Sequence, residues 1–183
     1  MARPEQQRDH DRMKNPSTAI IPNAIQCCNK TRYNTKDKHM DNFIKEAIEE
    51  AKKGLRQGGI PIGSVLIKDG TIIGRGHNKR VQENDPILHA EIDCLRNAGR
   101  IGSYKGAALY STLMPCYLCA GAIVQFGIKK VFAGESETFS GAREFMESHG
   151  VEVVDLNLDE CKQLMKEFIR QNPKLWNEDI GLV

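Results

Sequence analysis

Two short stretches hold the residues best able to do chemistry: His89-Ala90-Glu91 and Pro115-Cys116-Tyr117-Leu118-Cys119. One imidazole and two thiolates make a good zinc site with a fourth position left open. A Cys-x-x-Cys turn at a helix start puts both sulfurs on one side, and the helix N-terminus favours thiolate over thiol. A zinc ion with an open position binds water and brings its pKa towards about 7, so hydroxide is present at neutral pH. Protons must then be moved. Glu91 lies two residues beyond the histidine and can face that water without ligating the metal. Each stretch alone has a plainer reading. A lone Cys-x-x-Cys also serves redox chemistry, or a structural metal site with a fourth protein ligand. A lone His-x-Glu is more often a surface or core histidine. Together, in this order and each at a helix start, they point to one catalytic Zn2+ per chain, held by His89, Cys116 and Cys119.

The apolar pattern supplies the elements that carry these stretches. Phe43, Ile44, Ala47, Ile48, Ala51 and Leu55 recur at three and four residues, which predicts a helix capped by Asp41 and ended by Gly58-Gly59. Residues 62–67 and 71–76 read as a hairpin around Asp69-Gly70. A loop from His77-Asn78 to Asp85-Pro86 precedes a helix over 88–98, with His89 and Glu91 at its start. A strand over 107–111 leads to a helix begun by Pro115 and ended at Gly127. Strands over 130–133 and 151–154, a helix over 140–149 and an amphipathic helix from Leu158 follow, then a short tail with Trp176 and Asp179. This order predicts an α/β fold: a three-layer α/β/α sandwich on a mixed five-stranded sheet, with an antiparallel hairpin at one edge and parallel crossovers after it.

Residues 1–39 lack periodicity and read as a disordered N-terminal extension, leaving 40–183 as the domain. The adjacent Cys27-Cys28 pair gets no role, and the irregular spacing of the six cysteines argues against a disulfide framework. No signal peptide or membrane-length apolar run is evident, so the expected location is the cytoplasm. The net charge of +2 hides an asymmetry. Residues 1–39 hold eight basic and four acidic side chains, and residues 40–183 hold eighteen and twenty. A slightly acidic body is a poor electrostatic partner for nucleic acid.

His-x-Glu followed by Pro-Cys-x-x-Cys is the signature of zinc deaminases, and the chain resembles the cytidine deaminase superfamily. Within it, residues 40–183 resemble the fungal-type cytosine deaminases through 59–63, 74–78, 109–113, Gly121-Ala122-Ile123, Gly134-Glu135, Phe139 and 176–181. The resemblance implies a cytidine deaminase-like fold, a homodimer and a nucleobase lying flat beside the metal. It implies that Asn78 hydrogen-bonds the ring's amide edge and that Asp179 accepts from a ring N–H. Phe139 and Trp176 then cover the ring, Ile62 lines the apolar floor, and the segment after Trp176 acts as a lid. Bland roles stand beside these: a turn for Asn78, core packing for Phe139 and Trp176, solvation for Asp179. His77 is expected to be structural. Two features depart from the fungal pattern. Met114 stands where a small polar residue is familiar, and Asp85-Pro86 with Ala90 resembles tRNA adenosine deaminases and guanine deaminases.

The leading expectation is hydrolysis of cytosine to uracil and ammonia, a pyrimidine salvage reaction. Its rivals are guanine, isocytosine, creatinine or tRNA adenosine as substrate, and a non-catalytic zinc-binding protein on the same scaffold. Glu91 argues against the last, since a purely structural site has no use for it.

Overall fold

The computed structural model describes residues 38–182, with side chains from Asn42 onward. The expected extension over 1–39, including Cys27-Cys28, lies outside this range except for its last two residues. These begin helix α1 (Lys38–Arg56). Asp41 therefore sits inside α1 and is not its cap, because the helix starts before its apolar stripe does. Next come the hairpin strands β1 (Gly63–Lys68) and β2 (Thr71–His77). Helices α2 (Arg80–Glu83) and α3 (Ala90–Ala98) lead to β3 (Ala108–Ser111), α4 (Tyr117–Gln125) and β4 (Lys130–Ala133). The chain ends with α5 (Arg143–Ser148), β5 (Glu152–Asp155), α6 (Asp159–Gln171) and α7 (Pro173–Asp179). Two helices go beyond the sequence pattern. Four residues of α2 are too few for a period to show. The expected tail becomes α7 because Pro173 sits in its first turn.

One five-stranded sheet runs in the order β2-β1-β3-β4-β5. β1 is antiparallel to both β2 and β3, while β3, β4 and β5 pair in parallel. Strand side chains alternate between two helical layers, as a pleated sheet requires. Leu66, Leu109, Val131 and Val153 pack with Cys94 and Leu95 of α3, Ile123 of α4 and Met146 of α5. Val65, Ile67, Tyr110 and Phe132 pack with Ile44, Ala47 and Ile48 of α1 and Cys161 of α6. Tyr110 and Phe132 stack with ring centroids 4.3 Å apart. The three-layer α/β/α sandwich with a mixed sheet is thus the architecture. A third cluster, with Ile60, Ile62, Ala90, Leu113, Met165, Phe168 and Trp176, closes one end of the sheet. No helix among the described residues is long and apolar enough to cross a membrane.

Glycine sets how closely α3 lies on the hairpin. A Cβ on Gly76 would come 2.3 Å from the backbone nitrogen of Cys94 and 2.6 Å from the carbonyl oxygen of Ala90. Both are backbone atoms of the helix that carries Glu91, so neither can swing aside. Gly76→Ala is expected to cost about 3 kcal/mol of stability, read as a lower urea midpoint with an unchanged m-value.

Candidate active site

The two motif helices begin in the same way. His89 is the N-cap of α3 with φ −68° and ψ 164°, and Cys116 is the N-cap of α4 with φ −72° and ψ 174°. The helices therefore start two residues later than the sequence pattern suggests. Extended backbone at each cap turns the ligand off the helix, and the first turn behind it delivers Glu91 or Cys119. His89, Cys116 and Cys119 bring their ligand atoms within 4.8 Å of one another. His89 Nδ1 lies 3.4 Å from Cys116 Sγ. A tetrahedral zinc with Zn–N near 2.0 Å and Zn–S near 2.3 Å spaces nitrogen and sulfur about 3.5 Å apart. The donor set therefore fits zinc in both spacing and chemistry.

The electrostatics agree. A hydrogen bond with Cys119 is the main cause that brings the Cys116 thiol down to about 4; burial opposes it and His89 assists. Cys119 is pushed up by the same shared proton and by its burial. Two sulfurs this close hold one negative charge between them until a cation joins them. Burial draws the His89 pKa down, but the contact with Cys116 outweighs it and the net direction is up. Burial pushes the Glu91 carboxyl up, and the charge on Cys116 adds to it.

Glu91 is buried and held at both oxygens. Ser111 donates its hydroxyl to Oε1 at 3.1 Å, and Cys119 donates its thiol to Oε2 at 3.3 Å. A cavity of about 20 Å³ lies against these groups, lined by Ile62, His89, Glu91, Leu113, Met114, Cys116, Phe139, Trp176, Asp179 and Ile180. That is room for about one water. Phe139 and Trp176 meet edge to face there, with centroids 6.0 Å apart at 88°. Asn78 is fully buried and is not one of the residues lining this cavity. Its Nδ2 donates to Asp179 Oδ1 at 3.2 Å, and its Oδ1 accepts the Arg80 backbone N–H. The structure thus gathers the zinc trio, Glu91, Ile62, Phe139, Trp176 and Asp179 at one place and joins Asn78 to it through Asp179. His77 is buried away from the metal trio, its ring against Glu50 and Gln57.

Comparison with known proteins decides the family. Residues 37–135 match the model of the cytidine and deoxycytidylate deaminase zinc-binding region. The chain belongs to this deaminase family. It is 48% identical over 141 residues to a cytosine deaminase of Candida albicans (strain SC5314 / ATCC MYA-2876), spanning 75% of this chain and 94% of that protein. It is 39% identical over 141 residues to a tRNA-specific adenosine deaminase of Bacillus subtilis (strain 168), spanning 70% of this chain and 88% of the relative. A solved structure from studies of A-to-I editing by tRNA:A34 deaminases superposes with a TM-score of 0.56 at 33% identity, covering 63% of this chain and 98% of that one. The deaminase is a zinc enzyme with one site per chain, built from the His/Cys/Cys group of the family's zinc-binding region. Its reaction is hydrolytic deamination.

Several residues at the deaminase site have no signal of their own in the sequence. Ser111 reads as the end of a buried strand in a stretch of resemblance without a role, yet it orients Glu91. Glu135 falls in a stretch of resemblance without a role. It is fully buried, and its carboxylate accepts the backbone N–H groups of Glu137 at 2.6 Å and Thr138 at 2.9 Å, together with the Thr138 hydroxyl. That turn brings Phe139 to Trp176. Arg80 reads as a solvated loop charge, yet its guanidinium joins Asp179 at 2.7 Å.

Proposed function

We propose that the chain hydrolyses cytosine to uracil and ammonia. The observation that carries this is the small cavity at the His89/Cys116/Cys119 group, walled by Phe139, Trp176 and Asp179. A flat free base needs aromatic cover, one carboxylate acceptor and no room for ribose. The relative from Candida albicans supports cytosine in particular. A helix across the cavity, together with an acidic body, disfavours a polynucleotide substrate.

When bound, zinc supplies a water acid enough to be hydroxide near neutral pH. His89, Cys116 and Cys119 hold the metal. As a zinc ligand Cys119 would give up its proton, and Glu91 Oε2 would then be free of its thiol donor. Glu91 then takes a proton from the attacking water and delivers it to ring N3. Once the C4–O bond has formed, Glu91 takes the second proton from that hydroxyl and gives it to the exocyclic nitrogen; the C4–N bond breaks, the C4 carbonyl forms and ammonia leaves. Glu91 is thus the catalytic acid and base, and Ser111 fixes its orientation. Asp179 accepts from a ring N–H, Asn78 turns its second N–H and second lone pair, beyond those used by Asp179 and Arg80, to the amide edge, Phe139 and Trp176 cover the ring, and Ile62 forms its floor. Because the cavity holds about one water, base entry requires α7 to lift, which gives that helix the part of a lid.

The same reading takes 40–183 as the catalytic domain of a cytoplasmic pyrimidine-salvage enzyme with 1–39 as an extension. It also takes the enzyme as a homodimer, supported by Tyr117, Leu118 and Phe126, which leave α4 and its end with exposed apolar surface. Chromatography of cytosine incubated with zinc-loaded protein tests the activity; if no uracil forms, the proposal fails. Asn78→Ala is expected to raise the KM for cytosine about 10- to 100-fold, with zinc content unchanged. A wild-type KM in this variant removes Asn78 from the substrate contacts.

A further inference from the structure

Arg80 opens the four-residue helix α2 and reaches α7. All three of its guanidinium nitrogens are engaged. Nη1 donates to Asp179 Oδ1 at 2.7 Å, Nη2 to Glu178 Oε1 at 2.9 Å and Nε to the carbonyl of Pro86 at 3.0 Å. The Arg80 backbone N–H also donates to Asn78 Oδ1, and Asn78 Nδ2 meets Asp179 Oδ1. The Arg80 and Asp179 side chains are only 10% and 4% exposed. This is therefore a desolvated ion pair and not a surface one, so its loss leaves a buried charge unmatched. Both donors converge on Oδ1, so Oδ2 is the oxygen left to face a ligand in the cavity that Asp179 lines.

We propose that Arg80 is a positioning residue for substrate: it latches α7 over the site and sets the Asp179 carboxylate so that Oδ2 accepts a ring N–H. The inference rests on the reading of α7 as the cover of a free-base site. The planar guanidinium fork suits this task because it holds three acceptors at once, which a lysine ammonium on its flexible stem does not reproduce. Pro86 ties the latch to the loop just before His89, so closure of α7 is referenced to the metal ligand. Arg80 touches no reacting atom and acts only through Asp179 and Glu178.

The test uses the zinc-loaded full chain and the variants Arg80→Ala, Arg80→Lys and Glu178→Ala, on whichever free base the wild type deaminates. Arg80→Ala is expected to raise KM about 10- to 100-fold while kcat changes less than about fivefold and zinc content stays at the wild-type level. Arg80→Lys recovers part of the loss, and millimolar guanidinium lowers the KM of Arg80→Ala. Trp176 is the only tryptophan, so its acrylamide quenching reports α7 docking without any turnover. Quenching should rise in Arg80→Ala and, to a smaller degree, in Glu178→Ala. If Arg80→Ala fails to fold, the lysine and Glu178→Ala variants carry the same comparison. Wild-type KM and wild-type quenching in the variants overturn the latch, as does a loss confined to kcat. A wild type that turns over no free base instead overturns the reading beneath it, and the quenching result then stands apart.

Discussion

Glu91→Gln is expected to fold, bind one zinc and lose turnover by about 10⁴-fold, the upper range for removal of a general acid–base group. The argument is geometric. Glu91 is buried at the cavity, Ser111 holds one oxygen, and Cys119 holds the other. The amide has the same shape and keeps the Ser111 contact, so packing is preserved. It cannot accept the proton of the attacking water or return one to the leaving nitrogen. Single-turnover ammonia release separates this loss from any change in product release. Near-wild-type turnover in Glu91→Gln would remove Glu91 from proton transfer and leave Ser111 and the cavity without a catalytic purpose.

Cys119→Ala is expected to abolish both metal binding and activity. Cys119 is fully buried, sits one helical turn beyond Cys116 and is one of only three ligands in the group. Two remaining ligands do not make a competent zinc site. The stability consequence follows from linkage, since zinc at about a thousandfold over its Kd stabilises the native state by about 4 kcal/mol. A chelator should therefore lower the Tm of the wild type and leave the Tm of Cys119→Ala where it was. Zinc measured by atomic emission should fall from about one per chain to near zero. Full zinc content in the variant would mean that the metal sits elsewhere.

The two predictions rest on the part of the site that was easiest to read from the sequence. Zinc accepts few ligand types, and chelation by one helix start demands a fixed spacing, so Cys116 and Cys119 announce themselves. Glu91 follows because its distance from His89 is equally constrained. The sheet was legible too, since a short run at 62–67 closed by the Asp69-Gly70 turn reads as the first strand of a hairpin, and that strand is buried almost throughout. Helix starts were less so. Both ligand caps adopt extended backbone, which displaced the helix boundaries at His89 and Cys116, and apolar periodicity cannot see that. Arg80 was hidden for a different reason. Its partner Asp179 is 99 residues away, and a Lys79-Arg80 pair in a loop has the look of solvated charge. Only the return of α7 across the sheet end reveals the desolvated pair. Asn78 occupies a middle position: resemblance pointed to the ring, while the structure shows its amide already bonded to Asp179 and to the Arg80 backbone.

Met114 bears on substrate choice. It is buried, packs with the α4 and α5 layer and also lines the cavity. Because its side chain reaches the cavity, this departure from the fungal pattern bears on which base the site accepts.

The most direct test of the central claim is ammonia release by zinc-loaded protein on a parallel panel of cytosine, cytidine, guanine, isocytosine, creatinine and a tRNA anticodon stem-loop. Release from cytosine in step with uracil formation, and none from cytidine or the stem-loop, is the predicted result. Silence on cytosine from protein carrying its zinc, with release from another member of the panel, would contradict it.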